Sequence, residues 1–331
     1  MDDNNKTDAR TAATKTFSSL GIALLVTATT MTLVQILFAV FGRVLVEHGS
    51  TFVSSTWFLW LRTFAPLYLF GMPPGLLLMK KLPVLEYEKI RISCKDFMIF
   101  LLMCFPLMYG GSLLGNLLSM LFSGGNATNA LYTYAFDESP LKVIVLVVLA
   151  PIFEEFLFRK QLIDRCSQFG EKTAILYSAL MFGLFHMNLY QFFYAFGLGL
   201  VFGYVYTRTR RLCYSAIMHM VVNFIGSVLT PMLLSSIDVN DIERMAAGQI
   251  GKEAMSEFLS SMAGFMIYTV LLLGLSIWGL VLLSVKASKL VYLSAAKELP
   301  KQGRFKTIYC NAGTILFMLF CVAICVRNLW M

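Results

Sequence analysis

Charged residues are scarce in this chain of 331 residues. Asp, Glu, Lys and Arg make up 14% of the sequence and hydrophobic residues 58%, whereas a soluble domain carries roughly 25% charged residues. The scarcity excludes an ordinary soluble protein and predicts apolar spans of about 20 residues that cross a membrane. The net charge of +8 does not predict nucleic-acid binding, because the basic residues lie mostly at the ends of the apolar runs.

The chain also lacks a cysteine pattern typical of disulfide or zinc sites. Its seven Cys are an odd number and form no CxxC pair, which argues against a disulfide framework and a cysteine-rich zinc site. No A-x-A-like cleavage site closes the first apolar run, so we interpret that run as a retained span rather than a signal peptide. The sequence also contains no internal repeat, no low-complexity tract and no polar loop long enough to hold a separate core.

The apolar runs predict an all-α polytopic membrane protein with about nine transmembrane helices. We divide the chain into a polar cytoplasmic tail (1–17), helices 1–3 (18–139), a core bundle of four helices, 4–7 (140–234), and helices 8–9 (235–331). The predicted spans are 18–42, 53–79, 97–122, 141–165, 172–188, 191–207, 212–234, 262–285 and 308–328.

The distribution of Lys and Arg orients these spans, because cytoplasmic loops are enriched in both residues. The N-terminal tail and every second connection are basic, as in the run Arg208-Thr209-Arg210-Arg211, whereas residues 123–140 contain neither Lys nor Arg. This pattern predicts a multi-pass protein with a cytoplasmic N-terminus and an external C-terminus. The polar composition of the turns and the lack of targeting signals favour a bacterial plasma membrane. A location in the endoplasmic reticulum stays open.

Ionisable residues cost about 2.5–3.5 kcal/mol each inside a span on insertion scales and therefore mark candidate functional sites. The chain has only three His, and two of them lie in predicted spans beside other ionisable groups. The set comprises Glu154, Glu155 and Arg159 on span 4, His186 on span 5, and His219 on span 7.

The spacing of these residues predicts which side chains meet. Residues four positions apart project from one face of a helix. Glu155 can therefore pair with Arg159, and His219 shares a face with Asn223. Glu154 lies one position earlier, about 100° around the helix, and can face a different neighbour.

A proline precedes the two glutamates. Pro151 has no N–H and cannot donate to the carbonyl of Val147, four residues earlier. We therefore expect a kink in span 4 just before the carboxylates.

Counting residues predicts the depth of the site. Glu154 precedes Gly170, in the expected turn between spans 4 and 5, by 16 residues, and His186 follows it by 16. Both therefore lie about 24 Å from that turn, at one level. His219 lies only about 12 Å from the next turn on that side, near Arg211. The levels agree if the hairpin projects about 10 Å further into the cytoplasm, which predicts a site in the inner half of the membrane.

These motifs resemble those of the CAAX-protease and bacteriocin-processing family of intramembrane proteases, also called the CPBP or ABI family. The family pattern is EExxxR, then FxxxH, then HxxxN or HxxxD on successive helices, and the resemblance covers roughly residues 140–230. In this chain the pattern is Glu154-Glu155-x-x-x-Arg159, Phe182-x-x-x-His186 and His219-x-x-x-Asn223.

The resemblance implies a catalytic core formed by predicted helices 4–7. Glu154 corresponds to the family's glutamate that activates a water molecule. His186 corresponds to the histidine that helps to hold or deprotonate that water. His219 and Asn223 correspond to the pair that stabilises the developing oxyanion.

Three further residues correspond to supporting positions of the family. Glu155 and Arg159 resemble the ion pair that fixes the helix, and Phe182 resembles a packing residue beside the site. The chemistry of the residues leads to similar roles, because amide hydrolysis needs a base within reach of the water and fixed donors where negative charge develops. No Ser or Cys stands out beside a base as a nucleophile.

Zinc is the main mechanistic alternative. One Glu and two His could hold zinc and leave a position open for water, and the family is often labelled metalloprotease for this reason. We favour a metal-free, glutamate-dependent mechanism without a cofactor, and zinc stays open.

Two functions of other classes also stay open. An ion- or proton-coupled transporter could use the same carboxylates, although no inverted repeat is visible, and a non-catalytic membrane scaffold or immunity protein could retain the motifs. A protease would have the lipid bilayer and a peptide or membrane-protein substrate as partners. Neither the substrate, whether for peptide processing or for bacteriocin-related self-immunity, nor the oligomeric state can be read from this sequence.

Overall fold

Helices form all the regular structure that the computed structural model describes, which covers residues 3–129, 131–293, 295 and 297–330. The all-α prediction is confirmed for this part of the chain. The helices are α1 (Asp3–Glu47), α2 (56–79, π-helical at Ala65–Gly71), α3 (Cys94–Ser123), α4 (Leu131–Ala135), α5 (143–166, π-helical at Val143–Leu149 and Phe156–Ile163), α6 (Glu171–Phe185), α7 (Leu189–Thr209), α8 (Leu212–Ser235, π-helical at Ile225–Leu229), α9 (Val239–Ala246), α10 (Lys252–Lys286), α11 (Arg304–Tyr309) and α12 (Ala312–Leu329). Short 3₁₀ turns lie at Phe52–Ser54, Ser167–Phe169 and Ala287–Lys289.

Six helices of the described chain are long and apolar enough to cross a membrane: α1, α3, α7, α8, α10 and α12. They confirm a polytopic membrane protein. The other three predicted spans correspond to α2, α5 and α6, which fall outside this set. α6 has 15 residues, fewer than the roughly 20 that a bilayer requires, and most of its residues are buried against other helices. A helix surrounded by protein does not need the length or the composition of one surrounded by lipid.

The first helix begins within the segment predicted as a polar tail. α1 starts at Asp3, so residues 3–17 are helical, and residues 1 and 2 lie outside the described part. Ala13 and Phe17 are fully buried, and the Arg10 guanidinium donates to the carbonyl of Gln302 at 2.9 Å. The basic N-terminal segment is thus packed against the C-terminal part of the chain.

α7 is the central helix of the core. It packs against α6 on one side and α3 on the other, so α3 joins the predicted core of α5 to α8. The approach of α3 depends on Gly111, because a Cβ there would overlap the backbone of Tyr194 on α7. This close packing brings the first turns of α7 beside the C-terminal half of α3.

The basic connections meet at one end of the bundle. The N–H of Ile90 donates to the carbonyl of Thr209 at 2.9 Å, and the N–H of Lys297 donates to the carbonyl of Gln168 at 3.2 Å. We call the end formed by segments 80–93, 167–171, 208–211, 287–293 and 297–303 the basic end. Segments 124–129 and 131–139 follow the far end of α3 and lie at the opposite end. The predicted partition of the loops by charge therefore matches their positions in the structure.

The crossing of α1 and α12 yields a test of the packing. A Cβ on Gly313 would overlap the carbonyl of Ser18, so we expect Gly313→Ala to force the helices apart and to cost about 1–3 kcal/mol. The midpoint of thermal unfolding in detergent should fall. The control is Gly274→Ala on α10, where a Cβ meets nothing within 4 Å and Ala favours the helix by about 1 kcal/mol. Equal midpoints for the two variants would contradict the described crossing.

Candidate active site

A fully buried ion pair lies within α5 and contacts α6. The Nη2 of Arg159 donates to Oε1 of Glu155 at 3.0 Å, and its Nε lies 3.0 Å from Oε2 of the same carboxylate. Both side chains are 0% exposed. Arg159 also donates to Oγ of Ser178 at 3.3 Å, and its guanidinium lies 4.7 Å from the ring centroid of Phe182. The i,i+4 pair predicted from spacing is present, and it extends to the neighbouring helix.

His219 lies between the two adjacent glutamates. Its Nδ1 is 3.2 Å from Oε1 of Glu155, and its Nε2 is 3.7 Å from Oε2 of Glu154. Phe202 stacks on the imidazole at 5.3 Å between centroids, and Phe182 meets it edge-on at 5.8 Å. Because the Glu155 carboxylate can only accept, it favours a proton on Nδ1. The ring is therefore held with Nε2 towards Glu154.

A tyrosine outside the three motifs contacts the other carboxylate oxygen of Glu154. The hydroxyl of Tyr68 donates to Oε1 of Glu154 at 3.1 Å. Tyr68 lies in the π-helical part of α2 and packs against Phe153 at 5.1 Å between ring centroids. Tyr68 could not be singled out from the sequence, since a single Tyr in an aromatic-rich span separated from Glu154 by 86 residues carries no distinguishing signal.

His186 occupies the turn that connects α6 to α7. It follows the last residue of α6 and lines the same cavity as Glu154, without a direct hydrogen bond between the two side chains in the structure. The next residue, Met187, has a left-handed backbone with φ of 49°, and its carbonyl accepts from Nδ2 of Asn328 at 3.1 Å. Asn188 then caps the start of α7. The C-terminal helix α12 thus supports the turn that carries His186.

Asn223 is held by a carbonyl that Pro151 leaves unpaired. Its Nδ2 donates to the carbonyl of Leu146 at 2.8 Å. In the π-helical part of α5 the carbonyl of Val145 is bonded to the N–H five residues ahead, so the next carbonyl, that of Leu146, faces the proline nitrogen. In this wide register Pro151 stands opposite Leu146 rather than Val147, and the expected kink at the proline stays a prediction. The π-helical segment Val143–Leu149 ends two residues before the proline.

The four predicted catalytic residues line one cavity of about 390 Å³. Phe182 and Tyr68 line it as well. Other polar groups of the lining are hydroxyls and amides: Thr63, Ser112, Asn116, Asn129, Tyr132, Tyr134, Tyr190, Gln191, Tyr194 and Ser227. The structure therefore brings together the residues that the three motifs singled out.

The projection of the hairpin that the residue count required is missing from the structure, and the depth of the site in the membrane stays a prediction. A Cβ on Gly203 would lie 3.2 Å from Cγ2 of Ile175, so these residues share a level on α7 and α6. Arg210 lies seven residues beyond the first, about 10 Å, and Gly170 lies five before the second, about 8 Å. The turns differ by about 3 Å, and the expected projection of the hairpin is missing. Glu154 nevertheless lies 3.7 Å from His219, which is only eight residues, or about 12 Å, from Arg211. The count of about 24 Å from Gly170 therefore overestimates the height of Glu154, because residues 154–170 include a π-helical part and a 3₁₀ turn.

The side chains as arranged do not fit a zinc site. In the described ranges no group of three or more His, Cys, Asp or Glu residues is placed to hold a metal ion. Zinc ligands lie about 2.0–2.2 Å from the metal. Here Nδ1 of His219 is bonded to Glu155, and Glu154 lies near Nε2 without a third ligand.

Fold and contacts together define a polytopic α-helical membrane protein with a buried carboxylate–imidazole site. Residues 136–225 match the family model "Rce1-like: Type II CAAX prenyl endopeptidase Rce1-like", and this range contains all three motifs. The resemblance to the CAAX-protease family, CPBP, is thereby confirmed for this part of the chain.

One similar protein is "Putative membrane peptidase YdiL" of Bacillus subtilis (strain 168). The identity is 33% over 88 residues, which are 25% of this chain and 35% of that protein. The chain thus spans about a third of the length of the curated relative it matches. No solved structure matches the chain.

The buried ion pair predicts unequal effects for two neighbouring basic residues. Arg159→Ala leaves the Glu155 carboxylate buried without its cation, so we expect a loss of about 3–5 kcal/mol of stability. Lys160→Ala should change stability little, because Lys160 is 47% exposed and its partner Asp164 keeps hydrogen bonds from Tyr206 and Arg210. Unfolding midpoints in detergent measure both effects, and a loss for Lys160→Ala as large as that for Arg159→Ala would argue against the assignment.

Proposed function

We propose that the chain is an intramembrane endopeptidase in which Glu154 activates a water molecule to hydrolyse a peptide bond. The cavity shared by Glu154, His186, His219 and Asn223 is the observation that carries this proposal. The match of residues 136–225 to a family described as endopeptidases supports it.

Glu154 is the proposed general base. One carboxylate oxygen accepts from Tyr68, and the other faces the cavity beside His219. The base takes a proton from water as the water oxygen attacks the carbonyl carbon of the substrate, and His186 helps to hold that water. The same proton then passes to the amine that leaves when the C–N bond breaks. Such general-base catalysis contributes roughly 10²–10⁴-fold.

His219 and Asn223 are the proposed donors for the oxyanion. The contact with Glu155 fixes Nδ1 of His219, which leaves Nε2 for the site. One N–H of the Asn223 amide is engaged with Leu146, and an Asn amide has a second. Donors that are fixed before the reaction stabilise the transition state most, because they need no reorganisation.

The wider assignments belong to the same proposal. The substrate is a peptide or membrane protein within a bilayer, and peptide processing or bacteriocin-related self-immunity is the setting. The membrane is a bacterial plasma membrane, with the N-terminus in the cytoplasm and the C-terminus outside. The mechanism is metal-free and uses no cofactor.

Glu154→Gln tests the proposed base. The amide cannot take a proton, so we expect Glu154-dependent cleavage products to fall at least about 10²-fold while the protein folds normally. Mass spectrometry of membrane peptides from cells with wild-type or variant protein measures the products. Glu138→Gln, an exposed carboxylate, is the control and should cleave normally.

Two outcomes would contradict parts of this account. Unchanged peptides in Glu154→Gln cells, with full biological activity, would favour a scaffold or transporter. Activity of the purified protein that is lost on exhaustive chelation and restored by stoichiometric zinc would contradict the metal-free mechanism.

Tyr68→Phe tests a positioning residue. Loss of the hydroxyl removes the donor that holds one oxygen of Glu154, so we expect kcat to fall about tenfold, which corresponds to about 1.4 kcal/mol in the barrier, with KM unchanged. The unfolding midpoint should fall as well, because hydrogen bonds to charged groups contribute about 1.5–3 kcal/mol to stability. Tyr132→Phe at the 59% exposed rim of the cavity is the matched control. A lower midpoint with an unchanged kcat, or equal losses of kcat in both variants, would indicate a purely structural role.

A further inference from the structure

Most of the lining of the active-site cavity comes from the half of each surrounding helix that is remote from the basic end. Beyond the motif residues, α3 contributes residues of its C-terminal half, α7 residues of its first turns, and α8 residues that follow Asn223. Each of these parts lies away from the basic end. The lining residues concerned are Ser112 and Asn116 on α3, Tyr190 and Gln191 on α7, and Gly226 and Ser227 on α8.

The cavity is closed towards the basic end. Phe158, Leu162 and Phe202 are each at most 1% exposed and fill the space beyond the Glu155–Arg159 pair. A buried polar cluster follows, in which the Asp164 carboxylate accepts from Lys160 at 2.6 Å, Tyr206 at 2.9 Å and Arg210 at 3.3 Å. Close-packed apolar side chains followed by paired charges leave no route for a peptide.

The cavity is open towards the opposite end. Tyr132, which follows the loop after α3, is 59% exposed and lines the cavity, and Asn116 is exposed as well. Apart from the two histidines, Glu154 is the only Asp, Glu, Lys or Arg among the described lining residues. Neutral hydroxyls and amides suit the backbone of a peptide rather than a charged small molecule.

The distribution of Lys and Arg indicates which side of the membrane this opening faces. We orient the basic end towards the cytoplasm, because cytoplasmic loops are enriched in Lys and Arg. We propose that the site opens to the non-cytoplasmic face and acts on exported or membrane-anchored peptides whose cleaved bond lies outside the cytoplasm. The substrate class rests on the proposed peptidase function, whereas the sidedness of the cavity does not.

Two cysteine positions on one helix can test the sidedness. Ser227→Cys places a thiol of nearly the same size in the cavity, and native Cys213 is exposed at the start of the same helix, α8. The two positions are 14 residues apart, or about 21 Å. Two other exposed native cysteines, Cys94 and Cys310, also lie at the basic end. The wild-type chain therefore serves as its own inner-face control.

The probe is a membrane-impermeant maleimide, applied to intact bacterial cells and to inverted vesicles that contain the full chain. We expect intact cells to label Ser227→Cys at least tenfold more than wild type, and inverted vesicles to label the native cysteines in both proteins. Ser112→Cys, on α3 in the same cavity, should behave like Ser227→Cys and guards against a local folding defect.

Labelling of the cavity cysteines from inverted vesicles only, or from neither side, would overturn the proposed opening. The substrate class has a separate readout in the positions of cleavage sites that disappear in Glu154→Gln cells. We expect these sites in non-cytoplasmic segments, and cytoplasmic sites would overturn the substrate class. If no cleavage depends on Glu154, the peptidase function and the substrate class fall together, while the labelling still decides which face the cavity meets.

Discussion

The buried pair of Glu155 and Arg159 is the interaction on which the site depends. Two full charges inside a helical membrane bundle are stable only when they compensate each other and when hydrogen bonds satisfy the remaining polar atoms. Here the pair also contacts Ser178 on α6 and His219 on α8. One electrostatic requirement therefore fixes three helices relative to one another.

This arrangement gives the two adjacent glutamates different surroundings. Glu155 is fully buried and committed to a cation and an imidazole, whereas Glu154 lines the cavity. Adjacent positions on a helix point about 100° apart, so two identical side chains meet different surroundings. The Glu155 carboxylate orients His219, and the Glu154 carboxylate faces the cavity that holds the substrate in the proposed mechanism.

Helices outside the motif-bearing core complete the site. α2 supplies Tyr68 to Glu154, and α12 supports the turn of His186 through Asn328. α3 lies close enough to α7, across Gly111, to form one wall of the cavity. The N- and C-terminal thirds of the chain therefore have structural roles that the family match over residues 136–225 does not include.

Local patterns predicted much of this structure. The apolar runs predicted a polytopic helical protein, and the i,i+4 spacing predicted the pair of Glu155 with Arg159, because both depend on residues close in sequence. The energetic cost of ionisable groups in a membrane then singled out His186 and His219, which line the cavity. The catalytic roles of these residues stay predictions.

Features that depend on register or on distant packing could not be predicted. The contact of Tyr68 with Glu154 joins residues 86 positions apart, and the bond from Asn223 to Leu146 follows from a π-helical register that hydrophobic periodicity does not reveal. The projection of the hairpin was misjudged because the residue count treated residues 154–170 as one straight helix, whereas they include a π-helical part and a 3₁₀ turn. The short α6 was predicted as a full span because its residues are apolar, although most of them are buried against other helices.

The central claim is that Glu154, His186 and His219 meet in one water-filled cavity within the membrane. An experimental map of the full chain in lipid nanodiscs, at a resolution that shows side chains and ordered water, tests it most directly. The account predicts a Glu154 carboxylate within about 4 Å of Nε2 of His219, as in the 3.7 Å separation described here, with density for water beside His186. Lipid density between that carboxylate and both imidazoles would contradict it.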